Sequence, residues 1–287
     1  MPYANHVYFE ETGAGRPVIF IHCPALSHVY WRPIMDRLAP LCRSIAIDVR
    51  GHGRSGPRDQ PWQFADIAAD LAMLTRKLDL KDPVLVGYSA GASIALMAAL
   101  RDPALYSGIV AVGAFSECCT SSMKLKVGAG LLGVRLGLVP FIGSNVIGTN
   151  SIGKAHTKAM LPDARRTSPI ALRSFLTETL TCNFTHRLHG VRCPVLLVYG
   201  GKDEWMHSYY RILHERLPQA RALFFDGADH RVPTRQPALF ADAVAEFLAG
   251  LGPGPDEGGP GSYRWETDTP LLPAHQHPGA ELHQLHP

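Results

Sequence analysis

Apolar runs and amphipathic stretches alternate along most of this chain. Val18-Ile19-Phe20-Ile21 and residues 44–49, 83–86, 108–115, 194–199 and 222–225 are short apolar runs rich in β-branched residues, which predicts strands buried on both faces. Between them lie stretches whose apolar residues recur at spacings of three and four. Residues 66–80 carry Ile67, Leu71, Leu74 and Leu78 on one helical face. Residues 31–38 (halted before Pro40), 92–100, 209–217 and 237–248 also read as helices. Strand and helix in turn predict an α/β fold, a mostly parallel, doubly wound sheet with helices on both faces.

The rhythm breaks at about residue 117. Residues 117–190 show helical stretches and glycines without a clear buried strand, which predicts a helical cap inserted between two strands of a core formed by residues 1–116 and 191–250. The apolar stretch at residues 127–147 holds five glycines, Pro140 and Arg135, and reads as a mobile lid rather than a membrane span. From Gly250 onward Gly-Pro repeats replace regular patterning, so residues 251–287 read as a disordered tail. Its His275, His277, His283 and His286 are either polar tail or weak metal ligands.

Composition narrows the function classes. Over 287 residues, 46% are hydrophobic, 18% are charged and the net charge is +3, which gives no reason to expect a nucleic-acid or anionic-membrane partner. The start of the chain lacks the basic and apolar pattern of a secretory signal, so a cytoplasmic location is expected. The six cysteines are scattered without a Cys-x-x-Cys pair, and reduced thiols are expected, with no metal site. No cofactor is expected, a small molecule is the expected partner, and the oligomeric state is open.

The chemistry centres on Gly87-Tyr88-Ser89-Ala90-Gly91, which lies between a predicted strand and a predicted helix. A strand that turns into a helix so abruptly strains one residue, and flanking glycines remove side chains that would clash there. Ser89 would stand at a helix N-terminus, among unpaired N–H groups and partial positive charge, as suits a nucleophile. A serine hydroxyl needs a base, and an imidazole base needs a carboxylate to orient it. Asp203 follows the predicted strand ending at Tyr199, and His230 follows the one ending at Phe225. Glu204 is an alternative acid. Asp226 and Asp229 lie too near His230 in sequence, His22 and His52 read as loop and turn braces, and His207 and His214 read as surface residues.

The order Ser89, Asp203, His230 resembles that of the α/β-hydrolase family. Residues 3–249 are similar throughout to its small esterases, lactonases, perhydrolases and cofactor-free haloperoxidases. Tyr8-Phe9-Glu10-Glu11-Thr12-Gly13-Ala14-Gly15, Asp48-Val49-Arg50-Gly51-His52-Gly53-Arg54-Ser55 and His189-Gly190-Val191-Arg192-Cys193-Pro194 carry further likeness. The resemblance implies Ser89 as nucleophile, Asp203 as acid and His230 as base. It also implies two N–H donors for an oxyanion, one from Ala90 and one from the loop after residues 18–21.

That loop departs from the family's His-Gly-x. It reads His22-Cys23-Pro24-Ala25-Leu26-Ser27, and Pro24 has no N–H to give. Either the loop shifts so that Ala25 or Leu26 donates, or the Ser27 side chain or a water substitutes, or the oxyanion hole is half-built. Cys23 is a weak rival nucleophile. Pro24, Tyr88 and Leu26 are expected to line the substrate pocket. Leu125, Val127, Leu131, Leu132, Val134, Leu136, Leu138, Val139, Phe141 and Ile142 are expected to form an apolar inner face of the cap. The expected substrate is a small, largely apolar ester, lactone or thioester. Perhydrolysis, carbon–carbon bond hydrolysis and slow-turnover ligand binding are the alternatives.

Overall fold

The computed structural model describes residues 2–217, 219–251 and 263–265. The strands are β1 (Tyr3–Ala4), β2 (Val7–Thr12), β3 (Pro17–Ile21), β4 (Arg43–Ile47), β5 (Val84–Tyr88), β6 (Gly108–Val112), β7 (Val195–Gly200), β8 (Ala220–Phe225) and β9 (Tyr263–Trp265). They form one sheet in the order β1-β2-β4-β3-β5-β6-β7-β8-β9. Strands β3 to β8 run parallel, while β2 and β9 are antiparallel to the neighbours on which the parallel part ends.

The strands read as unbroken apolar runs because both faces are covered. Side chains alternate along a strand, so Val18 and Phe20 of β3 enter one core while Ile19 and Ile21 enter the other. The first core is closed by α1 (Arg32–Leu38) and α10 (Pro237–Gly250), through Ile34, Leu38, Phe240 and Val244. The opposite core is closed by α2 (Phe64–Lys77), α3 (Ala90–Arg101) and α8 (His207–Arg216), through Ile67, Leu71, Ile94 and Leu213. The predicted doubly wound arrangement is therefore present.

Strand order also locates the site. After β3 the chain builds β4 on one side, then crosses to build β5 on the other. Loops leaving the carboxyl ends of β3 and β5 diverge there and open a crevice, the usual ligand position in such sheets. Residues 22–27 and Ser89 lie on those two loops.

Between β6 and β7 the chain inserts α4 (Ser121–Arg135), α5 (Val139–Thr149), α6 (Gly153–Ala164) and α7 (Pro169–Thr181). The two ends of the insertion are stitched together. Glu117 bridges Asn183, the Phe184 N–H donates to Ser116 O at 3.0 Å, and the Ser116 and Thr185 hydroxyls lie 2.7 Å apart. The cap thus closes near residue 183 rather than 190, because Leu188 returns to the main core.

Two expectations need correction. Leu125, Leu132, Leu136, Leu138 and Phe141 face solvent rather than the cap's interior. A helix apolar on several sides carries no periodic sign of which side faces inward. The tail, secondly, is not structureless throughout. Tyr263–Trp265 pairs with β8 in the register Phe225↔Tyr263, Phe224↔Arg264 and Leu223↔Trp265. An edge strand offers unpaired N–H and C=O groups, so three residues suffice to add to it. Residues 252–262 and 266–287, with the four tail histidines, lie outside the described residues. Among the described residues, no helix is long and apolar enough to cross a membrane, and all six cysteines are free thiols.

Candidate active site

Ser89 occupies the junction of β5 and α3 with φ 55° and ψ −123°, a conformation L-residues rarely adopt. Both flanking glycines are required by close approach. A β-carbon on Gly87 would lie 2.4 Å from Gly91 O, and one on Gly91 would lie 2.4 Å from Ile21 O. The turn is further anchored by the Ser89 N–H, which donates to Val112 O at 2.7 Å.

The structure brings the three sequence-predicted residues together. His230 Nδ1–H donates to Asp203 Oδ2 at 2.8 Å, and the Ser89 hydroxyl donates to His230 Nε2 at 3.0 Å. Asp203 is buried at 2% exposure, which shields its carboxylate from water. Glu204, by contrast, stands exposed at the start of a single turn and has no hydrogen bond to the imidazole. Asp229 is engaged elsewhere: the Arg231 guanidinium holds its carboxyl down to about 2.

Two glycines missed by the sequence reading set the position of His230. Gly113, at the end of β6 with φ +58°, leaves room for the ring. Gly200, at the end of β7, lets the His230 loop pass, since a β-carbon there would fall 2.3 Å from Asp229 O. The aromatic rings of Tyr88 and Trp205 complete the housing, at 5.4 and 5.6 Å from the imidazole. The only sequence signal for these glycines is their place at strand ends.

The loop after β3 is a tight turn. The Leu26 N–H donates to Cys23 O at 3.3 Å, with Pro24 second and Ala25, at φ +63°, third. Proline followed by a left-handed residue is the pattern of a type II turn. His22 braces it, its Nδ1–H donating to Cys23 O at 2.8 Å and its Nε2 accepting from the Val49 N–H at 3.0 Å. Burial lowers the His22 pKa to about 4 and keeps the ring neutral. The alternatives for a second donor now separate. Leu26 N–H closes the turn, and Ser27, whose Oγ accepts from the Val29 N–H, is buried and does not line the cavity above Ser89. Ala25 N–H and Ala90 N–H have no protein acceptor among the described residues. Burial pushes the Cys23 thiol up to about 12, which removes it as a nucleophile.

A cavity of about 710 Å³ opens above Ser89. Pro24 and Tyr88 line it, but Leu26 does not: it is buried with Val29 and Tyr30 beneath the turn. The closing of the turn points that side chain into the core. The cap contributes Met123, Val127 and Leu176, but also Lys126 and Asn145, so the roof is less apolar than its sequence suggested. The cap is tied down beside the triad. Tyr88 donates its phenol to Asn150 Oδ1 at 3.0 Å, and Arg231 donates to Thr149 O at 3.1 Å. The residue before Ser89 and the residue after His230 therefore hold the same end of α5.

Comparison with known proteins places the fold. A 2-(acetamidomethylene)succinate hydrolase from Mesorhizobium japonicum is 25% identical over 249 residues, covering 83% of this chain and 90% of its own. Among solved structures, an esterase from Exiguobacterium antarcticum superimposes with a TM-score of 0.76 at 18% identity, covering 84% of this chain and 95% of that one. A bromoperoxidase from Bacillus anthracis gives 0.73 at 21% identity over the same shares. These likenesses concern the fold. The model of the alpha/beta hydrolase family matches residues 18–243, a span that holds the elbow, the cap and all three predicted catalytic positions, and the chain belongs to that family.

Proposed function

We propose that this protein is a serine hydrolase that cleaves a small, largely apolar carboxylic ester, lactone or thioester through an acyl-enzyme on Ser89. The observation that carries the reading is the unbroken relay from Ser89 Oγ to His230 Nε2 at 3.0 Å and from His230 Nδ1 to Asp203 at 2.8 Å. In this reading Ser89 Oγ attacks the substrate carbonyl carbon as His230 Nε2 takes its proton. Asp203 stays ionised and stabilises the imidazolium. The negative charge on the former carbonyl oxygen is met by the N–H groups of Ala90 and Ala25. Collapse expels the alcohol or thiol, protonated from His230, and water then releases the acid by the reverse proton path.

The free Ala25 N–H weighs for hydrolysis against the slow-turnover alternative, which rested on a missing donor. Phe115, Met123, Val127 and Leu176 offer an apolar wall for the acyl chain. The test is labelling with a fluorophosphonate probe, followed by a panel of esters and lactones of rising chain length. Ser89 is expected to be labelled, Ser89→Ala to abolish both label and turnover. Well-folded protein that neither reacts with the probe nor turns over any acyl substrate would overturn the reading.

A further inference from the structure

Five of the seven large hydrophobic side chains that stand exposed among the described residues fall within seventeen positions of the cap, at Leu125, Leu132, Leu136, Leu138 and Phe141. They are well exposed, Leu125 at 76% and Phe141 at 69%. At 3.6 residues per turn, Leu125, Ala129, Leu132 and Leu136 share a sector about 60° wide on α4. Lys124 and Arg135 run along one border of that sector and Lys126 along the other. Leu138 and Phe141, also exposed, follow at the start of α5.

Charge on this surface is one-sided. Residues 118–162 contain Lys124, Lys126, Arg135, Lys154 and Lys158 and not one Asp or Glu. The cap as a whole, residues 117–183, has eight Lys and Arg against Glu117, Asp163 and Glu178. The rest of the chain therefore has 20 basic residues against 22 acidic ones, so the small net charge conceals a segregation. Lys124, Arg135, Lys154 and Lys158 form no ion pair among the described residues.

We propose that the outer face of α4 and its corner with α5 is a docking surface for an anionic lipid bilayer. Leucine and phenylalanine projecting between lysines and arginines suit the boundary between acyl chains and acidic headgroups, where a helix lies in the plane of the surface without crossing it. The charge argues against a second copy of this chain, which would set cations against cations across the contact. The shape argues against a partner that fills a groove. A β-carbon on Gly128 or Gly137 would meet nothing within 4 Å, so no groove wall stands over these two positions. Because Met123, Lys126 and Val127 of the same helix line the cavity, docking would bring the cavity rim close to the bilayer.

The test is co-sedimentation of the full chain with equimolar phosphatidylglycerol–phosphatidylcholine vesicles and with pure phosphatidylcholine vesicles, alongside light scattering without lipid. Binding is expected to the anionic vesicles alone, and to fall by about tenfold or more in high salt. The triple substitution Leu125→Ser, Leu132→Ser, Phe141→Ser should abolish it while leaving thermal melting and turnover of a water-soluble ester unchanged. A second variant, Lys124→Glu with Arg135→Glu, should abolish it with the apolar stripe intact. No preference for anionic vesicles at low salt would overturn the proposal. So would a concentration-dependent dimer that the triple substitution dissolves, since a second copy would then cover the surface.

Discussion

Gly113 lies against His230: a β-carbon at position 113 would fall 2.5 Å from the imidazole Cε1 and 2.9 Å from Nδ1. The glycine is thus a positioning residue for the base, supplied by a strand that carries none of the three triad side chains. Gly113→Ala is expected to displace the ring from Ser89 and lower kcat by about 10²-fold, the scale of an ångström-sized misplacement. Its φ of +58° adds backbone strain, so a modest fall in melting temperature should accompany the loss. Steady-state kinetics with a soluble ester and a thermal melt measure both. An unchanged kcat would show that the ring tolerates the intrusion.

Asp203 and Glu204 are adjacent carboxylates with different surroundings, one buried against His230 and the other exposed. Asp203→Asn should keep the fold but disturb the imidazole tautomer, lowering kcat by about 10⁴-fold. Glu204→Gln should leave turnover close to that of the parent. Equal losses in both variants would contradict the relay.

Ala25 adopts φ +63° without being glycine. A left-handed alanine costs about 1 kcal/mol or more, which glycine avoids in exchange for greater freedom in the unfolded chain. Ala25→Gly is therefore expected to change stability by less than about 1 kcal/mol and to preserve activity, because the N–H at position 25 is retained. Urea unfolding and kcat report the two effects. A large loss of turnover with stability intact would mean that the methyl group's contact with Val139 and Leu172 of the cap matters for catalysis.

Burial lowers the pKa of His22 to about 4 and of His52 to about 3, from 6.5. In the unfolded chain both rings take up protons near pH 6.5, whereas in the folded protein they stay neutral until far lower. The unfolded state therefore binds more protons across that window, and folding stability should fall as the pH drops from about 6.5 toward 4. Above pH 6.5 the effect is absent, since both states are neutral. Urea midpoints from neutral pH down to about 4.5 test this, and a midpoint that rises on acidification would refute it. His22→Gln should flatten the dependence even though it weakens the loop.

The hydrogen-bonded set of Ser89, Asp203 and His230 was legible because each member follows a strand that apolar runs already mark: Ser89 after β5, Asp203 after β7 and His230 after β8. Gly113 and Gly200 were not, because a glycine's reason for being there is the atom that comes close to it, and those atoms lie on β8's loop. The second oxyanion donor was narrowed but not chosen. Proline at 24 removes one N–H by covalent structure, yet excluding Leu26 required knowing what its N–H already bonds, and excluding Ser27 required knowing that it is buried off the cavity.

Local pattern alone thus determined the alternating α/β core, the strained serine turn and the chain order of Ser89, Asp203 and His230, since period-two and period-3.6 burial and the backbone limits of glycine and proline act over a few residues. Tertiary structure decided which residues of α4, α5 and α7 face the cavity, that the Ala25 N–H is left without a protein acceptor among the described residues, and that a short segment near the end pairs with the sheet edge. Those outcomes depend on what packs against each residue from distant parts of the chain, and a helix apolar on several sides or a three-residue strand holds no local record of its neighbour.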